Sequence, residues 1–214
     1  MNKIFAPTQE TIMQDEKEHM ELARRLAGEC VVLLENDGTL PLADVRKIAL
    51  FGAGARQTVK GGTGSGDVNS RMVINIEEGL KQAGFEIVSE GWLDSREQQI
   101  AEAKIRHREE INRMAKETGT NEILLEFANP YCEPEKEHLA ALGSFYKKVV
   151  LILNIGGVMD LSEVKQIPGI NAVVLMTQLG NIGGYAIADI LTGAAVPSGK
   201  LADTWAASYA DYPS

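Results

Sequence analysis

The stretch GGTGSGDVNS, Gly61 to Ser70, follows closely on KIALFGAGA, Lys47 to Ala55. Glycines this dense after an apolar run mean a backbone that turns sharply or lets something approach closely. The candidates are a phosphate, a sugar or the rest of the protein. The phosphate reading fails on spacing. GAGARQ, from Gly52, lacks the third glycine of G-x-G-x-x-G, and GTGSGD, from Gly62, brings its third glycine one place early. Neither has a convincing acid about twenty residues on, at the end of the next strand. GAAVPSGKL, from Gly193, has five residues between its glycines where the P-loop has four, and Leu201 stands where the magnesium-binding hydroxyl belongs.

Other chemistry is thinner. His19, His107 and His138 show no H-E-x-x-H or other metal spacing. Ser65, Ser198 and Ser208 lack a G-x-S-x-G elbow, which removes an esterase. Cys30 and Cys132 lie far apart and make no disulfide framework, so free thiols are expected. Carboxylates are better represented: EILLEFANPYCEPEKEH, residues 122–138, offers Glu126, Glu133, Glu135 and Glu137.

These groups need a scaffold, and 214 residues with 44% hydrophobic content suffice for one large domain with a real core. A net charge of -9 gives no basic surface for neutralising phosphates, which argues against nucleic acid. No apolar run reaches the roughly 18 residues of a membrane span. Met1 to Glu10 lacks the layout of a signal peptide, and the chain reads as cytoplasmic.

EHMELARRLAGECVVLLEN places Met20, Ala23, Ala27, Cys30 and Leu34 at steps of three and four, which predicts an amphipathic helix ending in NDG. Short β-rich runs follow, KIALFG, FEIVSEG, EILLEFA, VVLILN and AVVLM, separated by helical segments. That rhythm predicts an α/β fold. Runs apolar on consecutive positions, Val149 to Leu153 and Ala172 to Met176, suit strands covered on both faces, hence a largely parallel sheet between helix layers. FEIVSEG is more mixed and belongs nearer an edge. Asp94 to Gly119 is densely charged, with a thin stripe through Ile100, Ala103, Ile111 and Met114, and predicts a long, half-exposed helix.

Five stretches, in order, resemble the sandwich domain of glycoside hydrolase family 3, which includes β-glucosidases and β-xylosidases. ECVVLLENDGTLPL looks like that domain's opening helix and its exit, where Asn36, Asp37 and Gly38 make a sensible stop and turn. KIALFGAGA resembles its first strand, GGTGSGDVN its glycine-rich loop, and VVLILNIGGVMDLS a later strand and turn. GGYAIADILTGAAVPSGKLADTWAASYADYPS is similar to the stretch ending PSGKL-DTWA, the most specific of the five.

The resemblance implies a three-layer α/β/α sandwich over residues 1–214. In the family this domain normally packs against a catalytic (β/α)8 barrel, with the sugar at the boundary. The barrel supplies the nucleophilic Asp, and the sandwich contributes an acid/base Glu and a loop beside the leaving-group subsite. No barrel is expected within this chain, which is half a site and inactive alone. Met1 suits the reversed order of some members, sandwich first and barrel last; an isolated or truncated domain is the other reading.

Retaining hydrolysis needs two carboxyl groups about 5 Å apart, one attacking the anomeric carbon and one protonating the departing oxygen. Glu126 falls within a strand-like run, whereas Glu133 sits in NPYCEPE and resembles the PPYAEG segment that carries the family's acid/base. Glu133 is the predicted acid. Its bland alternative is a solvated helix start with Pro134 at the first helical position, and Pro134 also replaces the glycine expected after the Glu. The resemblance likewise directs the glycine loop at the sugar cleft, with Gly62 and Gly64 giving close approach and Thr63, Ser65 and Asp67 as hydrogen-bond partners. The bland account is a tight turn needed for packing. Ile182, in QLGNIGG, stands where relatives usually have an acidic residue. Trp92 and Trp205 are read as packing ahead of sugar stacking. Neither metal nor cofactor is required. The expected partners are the barrel, a β-glucoside or related oligosaccharide, and a second copy in a homo-oligomer. The competing functions are a non-catalytic carbohydrate-binding or assembly module and a nucleotide-binding α/β domain.

Overall fold

The computed structural model describes residues 11–62, 66, 68–118 and 133–211. Helix α1, Gln14–Cys30, stops earlier than its periodicity predicts. Val31 is extended, and Val32–Asn36 forms strand β1. The step of four from Cys30 to Leu34 is a coincidence of two periods. Val31 and Leu33 pack into the main core while Val32 and Leu34 pack into a second cluster on the opposite face, the alternation of a strand. The chain can leave the helix because the last carbonyls find partners. Ser198 N donates to Gly28 O at 3.5 Å and Gly199 N to Val31 O at 2.9 Å. A Cβ on Gly199 would lie 2.7 Å from Val31 O, so only glycine brings this segment so close. Asn36 and Asp37 then stop a strand, and their side chains hold the turn. Asn36 Oδ1 accepts from Gly38 N at 3.2 Å and Leu40 N at 3.1 Å, and Asp37 Oδ1 accepts from Thr39 N at 3.0 Å.

Strand β2 is Lys47–Ile48, helix α2 Ile76–Gln82 and β3 Glu86–Ile87. Helix α3 is Glu90–Thr118, α4 Glu133–Phe145, β4 Val149–Leu153, β5 Ile170–Leu175 and α5 Gly183–Thr192. β5 lies between β4, which is parallel to it, and β1, which is antiparallel; β2 and β3 form a second parallel pair. The architecture is the expected α/β sandwich with a mostly parallel sheet, β1 being an antiparallel edge. FEIVSEG provides β3, whose one partner among the described residues is β2. EILLEFA lies outside the described residues.

Ala172 to Met176 are all buried, as a strand covered on both faces requires. Ala172, Val174 and Met176 pack under Ile76 and Leu80 of α2 and Ile187, Ile190 and Leu191 of α5. Val173 and Leu175 turn the other way, against Leu153, Leu161 and Trp205. α2 and α5 cross where Gly79 and Gly184 meet. α4 abuts the entry to β5, since a Cβ on Gly143 would lie 2.2 Å from Pro168 O. Helix α3 is as solvated as predicted: Leu93 and Ile100 are buried and Ala103 half-buried, while the Ile111 and Met114 side chains lie outside the described set. Among the described residues no helix is long and apolar enough to cross a membrane.

The start of α3 is tied to α2 by Arg56. Its guanidinium donates to buried Glu77 at 2.5 Å, to Asp94 at 2.6 Å and to Glu97 at 3.2 Å. Lys81 Nζ reaches Glu77 at 2.9 Å and Glu90 at 2.5 Å. Arg56, and then Lys81, hold the Glu77 carboxyl below the usual carboxylate range; Asn171 and Thr39 do the same for Asp37. Stability from a depressed carboxylate is complete above its unfolded pKa, about 4, and is lost as pH falls through its folded value. The thermal unfolding midpoint should therefore hold from pH 7 to about 5 and drop in stronger acid. Glu77→Gln should flatten that drop when followed by calorimetry; an unchanged acid limb would exonerate this ion pair.

Candidate functional site

Open α/β sheets present ligands at the carboxyl ends of their strands. Here that edge is where β4 runs into Asn154 and β5 into Thr177. The glycine-rich loop is fastened to it at several points. Asn154 Oδ1 accepts from Val59 N at 2.6 Å, and its Nδ2 donates to Val59 O at 3.0 Å and Thr177 O at 2.6 Å. Gly180 N donates to Lys60 O at 2.8 Å. Lys60 Nζ crosses the base of the loop, donating to Val68 O and, at 2.9 Å, to Ser70 Oγ. Thr58 Oγ1 accepts from Ile76 N at 3.0 Å, joining the same segment to the start of α2.

The glycines divide into two groups. At Gly79, Gly143, Gly169 and Gly184 an added Cβ would lie within 2.4 Å of a backbone oxygen, the closest being 1.9 Å at Gly184. At Gly61, Gly62 and Gly66 it would meet nothing within 4 Å among the described residues, and neither Gly61 nor Gly62 has a positive φ. Neither turn geometry nor packing among the described residues requires glycine in the loop. Thr63, Gly64, Ser65 and Asp67 lie outside the described residues.

Glu133 and Pro134 lie on α4 as it is described, from Glu133 to Phe145. The Glu133 and Glu135 side chains and all of Glu126 lie outside the described set, whereas Glu137 is exposed.

GAGARQ forms a single 3-10 turn at Ala53–Ala55, and Arg56 is engaged by carboxylates. Gly193 caps α5 in the left-handed conformation. Ile182 is buried with Ala27 and Ala186, which gives the apolar residue a packing role. Trp92 packs edge-on to Phe51 at 5.0 Å, and Trp205 packs on the Leu153 cluster. Cys30 is a free thiol. Sequence reasoning missed Asn154 and Thr177. Their signals were a polar residue closing an apolar run and a β-branched residue at φ 55, of which only the first is visible before folding.

The fold is a sandwich module whose strand ends hold Val59 and Lys60, the segment that leads into the glycine-rich stretch. Residues 31–214 match the family described as the glycosyl hydrolase family 3 C-terminal domain, and the chain belongs to that family. It is 31% identical to beta-glucosidase A of Butyrivibrio fibrisolvens, over 92% of this chain and 30% of that protein. It is 30% identical to a beta-glucosidase of Ruminococcus albus, over 95% of this chain and 24% of that protein. The structure of beta-glucosidase 3B from Thermotoga neapolitana with glucose superposes with a TM-score of 0.73 at 29% identity, covering 94% of this chain and 33% of that one. The chain thus spans a third or less of the length of these relatives.

Proposed function

We propose that this chain is the sandwich part of a retaining, β-glucosidase-type glycoside hydrolase acting on terminal β-linked sugars. The observation that carries this is the match of residues 31–214 to the family 3 domain, and what supports a sugar-facing loop is that a Cβ on Gly61 or Gly62 would meet nothing among the described residues. A (β/α)8 barrel would cover this edge and bring the attacking carboxylate. Glu133 is its counterpart. What supports Glu133 is its place in NPYCEPE, which resembles the family segment that carries the acid/base.

In the first step the barrel's Asp attacks the anomeric carbon, the bond to the glycosidic oxygen breaks, and Glu133 gives that oxygen its proton. In the second step the Glu133 carboxylate takes a proton from water, whose oxygen displaces the Asp and releases the sugar. No metal or cofactor enters either step. The glycine loop lines the leaving-group side.

The test uses the intact protein, or this chain mixed with its barrel when the two are separate polypeptides, and a nitrophenyl β-glucoside. Turnover with retained anomeric configuration is expected; no turnover in either format would overturn the reading. Gly62→Ala refines it. With open space around the new methyl, stability should be unchanged or higher by up to about 1 kcal/mol, while kcat/KM falls roughly ten-fold because the loop can no longer approach the sugar as closely.

A further inference from the structure

We infer that Asn154 is a positioning residue which sets the register of the glycine loop against the sheet, and through it the leaving-group side of the site. The inference rests on the glycosidase reading for its kinetic consequence and on geometry alone for the clamp. An asparagine amide has one acceptor oxygen and a two-proton donor nitrogen, and here both act on one residue: Oδ1 accepts from Val59 N at 2.6 Å and Nδ2 donates to Val59 O at 3.0 Å. The side chain thereby imitates the paired hydrogen bonds of an adjacent strand, ninety-five residues away in sequence. Nδ2 also donates to Thr177 O at 2.6 Å. Thr177 has φ 55, a left-handed conformation that is an outlier for a β-branched residue and persists only where its surroundings enforce it. Asn154 provides part of that enforcement. One link further, Gly180, also left-handed at φ 68, donates to Lys60 O at 2.8 Å. The two loops that leave β4 and β5 therefore grip consecutive residues, Val59 and Lys60, immediately before Gly61 and Gly62. Among the described residues Asn154 hydrogen-bonds only backbone, so it acts through the loop.

Asparagine is the residue this clamp needs. Alanine removes all three hydrogen bonds. Aspartate keeps the size and the acceptor for Val59 N, but it sets a negative charge against the carbonyls of Val59 and Thr177 and has no donor for either.

The experiment compares the intact wild-type protein with Asn154→Ala and Asn154→Asp on a nitrophenyl β-glucoside and a β-linked glucose disaccharide, together with hydrogen exchange at the Val59 and Gly180 amides. In both variants kcat/KM for the disaccharide should fall ten-fold or more, chiefly through KM, and for the nitrophenyl substrate three-fold or less. The Val59 amide should exchange at least ten-fold faster. Equal losses in kcat on both substrates would mean only a smaller folded fraction and would overturn the inference, as would unchanged exchange at Val59 or a wild-type KM in Asn154→Asp. If the wild type hydrolyses neither substrate, the glycosidase reading fails, and the exchange rates still decide whether Asn154 holds the loop.

Discussion

Gly184→Ala should lower the stability of this domain by more than about 3 kcal/mol, beyond the usual range for overpacking. Gly184 lies in the first turn of α5, where it crosses the entry to α2. Its built Cβ falls 1.9 Å from Asn75 O and 2.8 Å from Ile74 O, and the reciprocal Cβ on Gly79 falls 2.0 Å from Gly184 O. The obstructing atoms are backbone, so no rotamer change relieves them. Nor is the backbone free to move. Gly184 N donates to Ile74 O at 3.0 Å and Ile74 N to Asn181 O at 2.8 Å. Asn75 is the N-cap of α2, its Oδ1 accepting from Glu78 N at 2.8 Å while Glu78 Oε2 accepts from Asn75 N at 3.1 Å. Separating the helices would break this cap or open the core between Leu80 and Ile187, both fully buried. For a chain of this size the loss corresponds to a fall of roughly 10 °C in the unfolding midpoint. Scanning calorimetry of Gly184→Ala beside Gly62→Ala checks it, since the same substitution should be costly in one and harmless in the other. A drop under 2 °C at Gly184 would show that the helices separate easily.

What could be read before folding follows from the range of each signal. Local periodicity was enough for β4, β5 and the solvated α3, because unbroken apolar runs and charge density are properties of the segment itself. It failed at Val31 to Asn36, where a helical step of four overlaid a strand's alternation. The tie-break was the location of the partner strand, β5, more than a hundred residues on. QLGNIGG drew attention for the acid that Ile182 replaces, yet its second glycine, Gly184, serves the approach of α2, which lies a hundred residues earlier. Arg56 looked like part of a glycine turn; its three carboxylates come from α2 and α3. Asn154 is the same case, since its role consists of contacts with Val59 and Thr177. Interactions between distant segments are silent in one sequence. The five family-like stretches escaped this limit because their order along the chain records the whole fold.

In the proposed function, Glu133→Gln in the intact protein should reduce kcat/KM on an alkyl or glycosyl β-glucoside by about 10²- to 10⁴-fold, the range for loss of a positioned general acid. The loss should shrink for a glucoside whose leaving group departs as a stable anion, since that oxygen needs no proton at the moment of cleavage. Glu137→Gln, on an exposed side chain one turn further along α4, should stay within about three-fold, as surface substitutions away from a site do. In the proposed function a general acid must be protonated when the bond breaks. The wild-type enzyme should accordingly lose activity on poor leaving groups as pH rises above neutrality, and that basic limb should be absent from the Glu133→Gln profile. Turnover of an alkyl glucoside within three-fold of wild type, or a basic limb that survives the substitution, would assign the proton donor to another carboxyl.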